Sequence, residues 1–202
     1  MKLISYSIDL LNPSLIQKKI QKFTDYAYSQ SHQSHSILTK YFTRPMILYV
    51  KKNKGKNLVG VEIGSYACCN AKNILQNLCM KKLYIVDPYL EVDMVYSAPV
   101  FDEAKKRLKK WKNKVTFVKK FSQAAVVDIP NNLDFVYIDG NHLYKFVKND
   151  INMYYPKIRK GGIIGGHNFE SNFLGVMRAV MEFVEENNLT LYVLYNDWWI
   201  VK

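Results

Sequence analysis

Several features are scarce in this chain, and each scarcity narrows what it can be. Its three cysteines are Cys68, Cys69 and Cys79. An odd number confined to one short stretch is no disulfide framework, and it fits a reducing compartment such as the cytoplasm. No run of eighteen apolar residues occurs, so no membrane-spanning helix is expected. The N-terminal MKLISYSIDLLNPS offers neither the apolar core nor the cleavage site of a signal peptide. Arginine is scarce as well: only Arg44, Arg107, Arg159 and Arg178 stand among 29 basic residues, against 17 acidic ones. The net charge of +12 suits a nucleic acid or an anionic substrate. Arginine, however, is the usual bidentate reader of base edges, so solvated surface lysines account for the excess better, and nucleic acid is the less favoured partner. The G-x-G-x-x-G phosphate loop is also missing, which argues against NAD or FAD.

What remains is an ordinary globular chain of 202 residues, 49% hydrophobic and 23% charged, enough for one domain with a sizeable core. Residues 1–57 read as a helical extension or lid: a helix from Pro13 or Ser14 to about Tyr28, a polar loop holding His32 and His35, and a helical stretch within 37–52 broken near Pro45. From Leu58 onward strands and helices alternate, so 58–202 is read as the main domain, built on a parallel sheet. The apolar runs predict strands at 58–63, 83–86, 115–118, 133–138 and 162–166. Helical patterns fall at 67–80, 101–111, 122–127, 143–158 and 173–187. Two last strands, 190–195 and 198–201, are so close that they must form an antiparallel hairpin. The expected architecture is α/β: a Rossmann-like, seven-stranded, mostly parallel sheet with helices on both faces and a C-terminal antiparallel hairpin.

The stretch LDFVYIDGNHLYKFVKNDINMYYPKIRKGGIIGGHNFE carries most of the chemistry. It reads as strand, helix, strand, and two parallel strands joined by a helix end on the same sheet edge. Asp139 and His142 are therefore expected beside His167 and Asn168, at the edge where open α/β sheets bind ligands. Earlier, the first strand runs into Glu62-Ile63-Gly64-Ser65-Tyr66, a turn where glycine lets a ligand approach the backbone. The second strand ends in Asp87, an acidic residue placed to accept ribose hydroxyls. Together these point to a nucleoside without a pyrophosphate. The helical Asp150 reads as structural, orienting the loop. Tyr144, Trp198 and Trp199 read as core.

The stretches VEIGSYACCNA, LYIVDPY, LDFVYIDGNHLYKFVKND and KGGIIGGHNF, with the terminal DWWIVK, resemble the class I S-adenosylmethionine-dependent methyltransferases. Within them, the likeness is to the metal-dependent small-molecule O-methyltransferases of the catechol and macrolide-sugar type. The resemblance implies that Glu62, Gly64 and the adjoining Ser65 line the methionine end of S-adenosylmethionine, that Asp87 holds the ribose, and that Ser122 and Gln123 flank the adenine. It implies a divalent metal, Mg or Mn, on Asp139, His167 and Asn168, with Asp139 also reaching the cofactor. His142 becomes the general base, and His142 and Asp139 the catalytic pair. The acceptor would be a hydroxyl of a small molecule, a sugar among the candidates. Two departures stand out. Cys68 occupies the place of a second glycine, where its side chain would narrow the cofactor site. Asn168 replaces a frequent Asp, which removes a charge from the metal site and tilts it toward Mn. A nucleic-acid methyltransferase on the same fold, or a cofactor-binding protein with impaired catalysis, are the alternatives.

Overall fold

The computed structural model describes residues 4–6, 43–90 and 99–202. The expected helix near 14–28 and the loop with His32 and His35 lie outside these residues. A short strand β1 (Ile4–Tyr6) is followed by helix α1 (Pro45–Asn53), strand β2 (Lys56–Ile63), helix α2 (Cys69–Asn77) and strand β3 (Cys79–Val86). Helix α3 (Val100–Leu108), strand β4 (Val115–Val118), helix α4 (Ser122–Ala125) and strand β5 (Leu133–Ile138) come next. Helix α5 (Tyr144–Tyr154), strand β6 (Ile158–Gly166), helix α6 (Leu174–Glu186) and the hairpin of β7 (Leu191–Leu194) and β8 (Asp197–Val201) complete the chain.

The eight strands among the described residues join one sheet in the order β1-β7-β8-β6-β5-β2-β3-β4. The strands β4, β3, β2, β5 and β6 are mutually parallel; β8, β7 and β1 run antiparallel to their neighbours. This is the expected mixed sheet of seven strands, with β1 added at one edge. Strands β2, β3 and β4 step outward on one side, and the chain then crosses to β5 on the other side of β2. The topological switch point therefore lies between β2 and β5, where doubly wound sheets bind ligands.

The central strands are apolar on both faces because helices cover both. Val61, Ile63, Val136, Ile138 and Ile164 pack with Val147, Ile151 and Tyr154 of α5 and with Val176, Val180 and Phe183 of α6. Leu58, Leu83, Ile85, Phe135 and Ile163 pack with Met46, Ile47 and Val50 of α1, Ala71 and Ile74 of α2, and Ala104 and Leu108 of α3. Trp198 and Trp199 are fully buried, on opposite faces. Helix α1, assigned from the sequence to an extension, is thus part of one of the two cores.

Several element ends differ from expectation by a few residues, and two of the shifts have a clear physical reason. The helix predicted to Met80 stops at Asn77, because Cys79 and Met80 pair with Lys56 and Leu58 as the start of β3. Likewise Gly161-Gly162 does not end a helix. Pro156, with no N–H to continue the ladder, closes α5 in a 3₁₀ turn over Tyr155–Lys157. The glycines then lie inside β6, where the pairing with β5 shifts register, and their backbone exchanges hydrogen bonds with Lys202.

Candidate active site

The carboxyl ends of β2 and β5 are pressed together. Gly64 sits at φ +76°, and a Cβ there would come within 2.3 Å of the Gly140 Cα and 2.4 Å of the Asp139 carbonyl oxygen. Only glycine fits both the left-handed backbone and the contact. The next turn is tied down by Asp87 at the end of β3. Its Oδ2 accepts the N–H groups of Ser65 (2.9 Å) and Tyr66 (2.8 Å), and its Oδ1 accepts that of Tyr89 (2.8 Å).

Beside this junction opens a cleft of about 390 Å³, lined among others by Gly64, Asp87, Phe121, Ser122, Gln123, Asp139, Phe146 and Asp150. Of the cofactor residues expected from the sequence, Gly64, Asp87, Ser122, Gln123 and Asp139 meet at it; Glu62 and Ser65 do not line it. Glu62 is buried behind the sheet edge, where Asn70 donates a 2.8 Å hydrogen bond to its Oε1 and Oε2 has no partner. Burial, only partly offset by the Asn70 bond, pushes its pKa up to about 8. The Ser65 hydroxyl instead lies 2.9 Å from the Tyr89 hydroxyl. Nor does Cys68 line the cleft. Its buried sulfur lies 3.4 Å from both hydroxyls, and burial pushes its thiol up to about 11. The cysteine holds a left-handed φ of 59°, the conformation that explains a glycine preference there, without narrowing the site.

The cleft suits a nucleoside. Phe121 and Phe146 offer apolar faces, Ser122 and Gln123 offer polar groups, and the buried Oδ1 of Asp150 has no hydrogen-bond partner. The last feature is what an N–H-bearing ligand would satisfy.

At the β5 end, His142 follows a turn in which the Asn141 side chain accepts the Leu143 N–H at 2.9 Å. Its ring packs against Phe173 at 4.6 Å between centroids, and its Nε2 lies 3.6 Å from Asp139 Oδ1 with no hydrogen-bond partner. Across β6, the His167 N–H bonds the Ile138 carbonyl at 3.1 Å, so the two strand ends are adjacent as expected. Their side chains engage other partners. His167 Nδ1 lies 2.8 Å from Asp197 Oδ1. The fully buried Asp197 also accepts the Tyr137 hydroxyl (3.0 Å) and, through Oδ2, the Met46 N–H (3.1 Å) at the start of α1. Arg44, just before α1, spans the gap, 3.6 Å from both Asp139 Oδ2 and Asp197 Oδ1. Burial opposes its charge, but Tyr137, Asp197 and Asp139 outweigh that and raise its pKa.

These residues do not fit the expected divalent metal. Among the described residues no three His, Cys, Asp or Glu side chains gather as a metal centre. A cation shared by Asp139, His167 and Asn168 would also face the Arg44 guanidinium, whose positive charge already compensates Asp139. Arg44 and Asp197 carry no strand-end or glycine signal, and sequence reasoning missed both. The one visible hint was the Arg-Pro step where the helical pattern breaks.

The sequence profile of a methyltransferase domain matches residues 59–169. An uncharacterized protein of Acanthamoeba polyphaga mimivirus is 31% identical over 116 residues, 54% of this chain, and the chain spans about half (50%) of that relative's length. Among solved structures, an O-methyltransferase of Bacillus cereus in complex with SAH superposes with a TM-score of 0.57 at 12% identity, covering 92% of this chain and 91% of that one. The precorrin-6y C5,15-methyltransferase of Geobacter metallireducens gives a TM-score of 0.58 at 16% identity, covering 83% and 90%. At such identities these structures speak for the fold alone.

Proposed function

The chain belongs to the class I S-adenosylmethionine-dependent methyltransferase-domain family, and from that premise we propose that it methylates a hydroxyl of a small acceptor, with His142 as general base. The observation that carries this reading is the buried His142 Nε2, which has no hydrogen-bond partner and lies 3.6 Å from Oδ1 of Asp139, a residue that lines the cleft. When bound, S-adenosylmethionine supplies an electrophilic methyl group on its sulfonium. Ser122, Gln123 and Asp150 hold the nucleoside end, and the turn fixed by Asp87 and Gly64 shapes the other. With S-adenosylmethionine bound, the His142 imidazole would take the acceptor's hydroxyl proton on Nε2 as the hydroxyl oxygen receives the methyl group. Asp139 stabilises the imidazolium that results. Arg44 provides fixed positive charge beside the developing oxyanion, so no metal step is invoked.

The test is methyl transfer from labelled S-adenosylmethionine into a panel of hydroxylated acceptors, sugars included. Replacing His142 with Ala should leave S-adenosylhomocysteine affinity near wild type and lower turnover by roughly 10²–10⁴. Full activity in that variant would remove His142 from the chemistry. A nucleic-acid acceptor is the second reading, favoured by the exposed Lys105, Lys106, Lys109, Lys110, Lys119 and Lys120 on and after α3 and β4, next to the exposed Phe121 on the cleft. Transfer into RNA or DNA, and not into small hydroxyl acceptors, would favour it.

A further inference from the structure

Beyond its place at the nucleoside end of the cleft and its contact with Ser122, Asp150 keeps one carboxylate oxygen that the protein itself leaves unpaired. It sits in α5, 2% exposed, and it lines the cleft with Phe146, Ser122 and Gln123. Its Oδ1 has no hydrogen-bond partner. The Tyr154 hydroxyl, a donor one turn on along the same helix, is spent on the Ser122 carbonyl at 2.9 Å. Burial pushes the Asp150 carboxyl up to about 6, a rise that a hydrogen bond from Ser122 restrains. At neutral pH the group is therefore mostly an ionised acceptor at the wall of a ligand cleft. A buried carboxylate oxygen left unpaired is costly, and the cost is relieved by a donor arriving from the cleft.

Resting on the reading that the cleft takes S-adenosylmethionine, we propose that Asp150 reads the base: its Oδ1 accepts a hydrogen bond from the exocyclic amine of the adenine. The residue then determines specificity as well as affinity. A 6-amino purine presents an N–H to the carboxylate. A 6-oxo purine presents a carbonyl oxygen, which leaves the acceptor unpaired and sets two electronegative groups against each other. A site built around a buried hydrogen bond rejects a ligand that lacks the matching group far more strongly than an apolar pocket does. Phe146, one turn earlier on α5, supplies the apolar wall against which a flat base can lie.

Calorimetry on the full chain tests this with two ligands, S-adenosylhomocysteine and its deaminated counterpart S-inosylhomocysteine. The wild type should prefer the adenosyl ligand by about a hundredfold or more. Asp150→Asn replaces one acceptor oxygen with an N–H donor, so it should weaken the adenosyl ligand, strengthen the inosyl ligand, and shrink the ratio at least about tenfold. Asp150→Ala should weaken the adenosyl ligand without any gain for the inosyl one. Equal affinities in the wild type overturn the proposal whether or not the variants fold. An unchanged ratio in a folded Asp150→Asn protein overturns it too, and leaves Asp150 as a support for the Ser122 turn. A wild type that binds neither ligand defeats the methyltransferase reading itself, an outcome distinct from both.

Discussion

Glu62 is a carboxyl group that the fold encloses and then supplies with a single hydrogen bond, from Asn70. It is 1% exposed, and burial, ahead of the opposing Asn70 bond and the repulsion of Asp139, raises its pKa to about 8. A carboxyl whose folded pKa lies above its unfolded one favours folding in its protonated form. That contribution is complete below the ordinary carboxylate pKa of about 4.5 and is lost as pH rises toward 8. Glu62→Gln keeps the shape and cannot ionise, so its stability relative to wild type should climb by about 1.4 kcal/mol per pH unit across that window. Urea unfolding of the ligand-free protein at pH 5, 7 and 9 measures it; a difference that stays flat with pH would mean that Glu62 ionises freely in the fold. Glu62 also shows what a motif residue does not reveal from sequence. In a strand covered on both faces, the apolar run Leu58 to Ile63 does not say which face a polar member takes. The glutamate was read as lining the cofactor site; in the fold its Oε1 accepts a hydrogen bond from Asn70 of α2, and it does not line the cleft.

At the scale of elements, the β2–α2 turn is where strand geometry becomes a binding edge. Gly64 permits the approach of β2 to β5, and Asp87 locks the following turn through three backbone N–H groups. Gly64→Ala adds a Cβ into backbone, which cannot rotate away, at a positive φ that alanine disfavours. The expected loss is about 2–4 kcal/mol of stability, with weakened S-adenosylhomocysteine binding. Thermal melts and calorimetry check both. A variant as stable as wild type would show that β2 and β5 separate readily. The elements themselves were largely legible. Strands β4 and β5 lie at their expected bounds because short β-branched and aromatic runs between turn residues have few other solutions. The adjacency of Asp139 and His167 followed from the parallel strands of one strand–helix–strand unit, which end on the same sheet edge. What could not be read was the partner of each group. Asp139 and His167 look like metal ligands when only their own strand ends are considered. Arg44 and Asp197 arrive from far earlier and later in the sequence, and they change the charge balance. Ion pairing across such separations has no period or spacing to detect.

For the molecule as a whole, this means that a division at residue 57 does not separate two packing units. Helix α1 lies before that boundary, yet Met46, Ile47 and Val50 are fully buried in the core over β6 and β8. Met46 sits so closely on β6 that a Cβ on Gly165 would meet its sulfur at 2.7 Å, and Tyr49 packs on Trp199 at 5.3 Å between ring centroids. Each fully buried aliphatic or methionine side chain contributes roughly 1.5–3 kcal/mol. The total for α1 is comparable with the whole stability of an ordinary domain, about 5–15 kcal/mol. A chain of residues 58–202 would also lose the cap that Asp197 places on α1, leaving that buried carboxylate without the Met46 N–H and the Arg44 charge. Asp197 Oδ1 would keep Tyr137 and His167, but Oδ2 would lose its partner, and a buried carboxylate stripped of partners is destabilising. The chain 58–202 should therefore fail to give a cooperative melt and should expose apolar surface, whereas a chain of 43–202 retains α1, Arg44 and both cores. The comparison is made by circular dichroism and thermal unfolding of the two chains side by side. If 58–202 melts cooperatively near the temperature of 43–202, α1 is a detachable extension after all, and Arg44 belongs to no fixed part of the site.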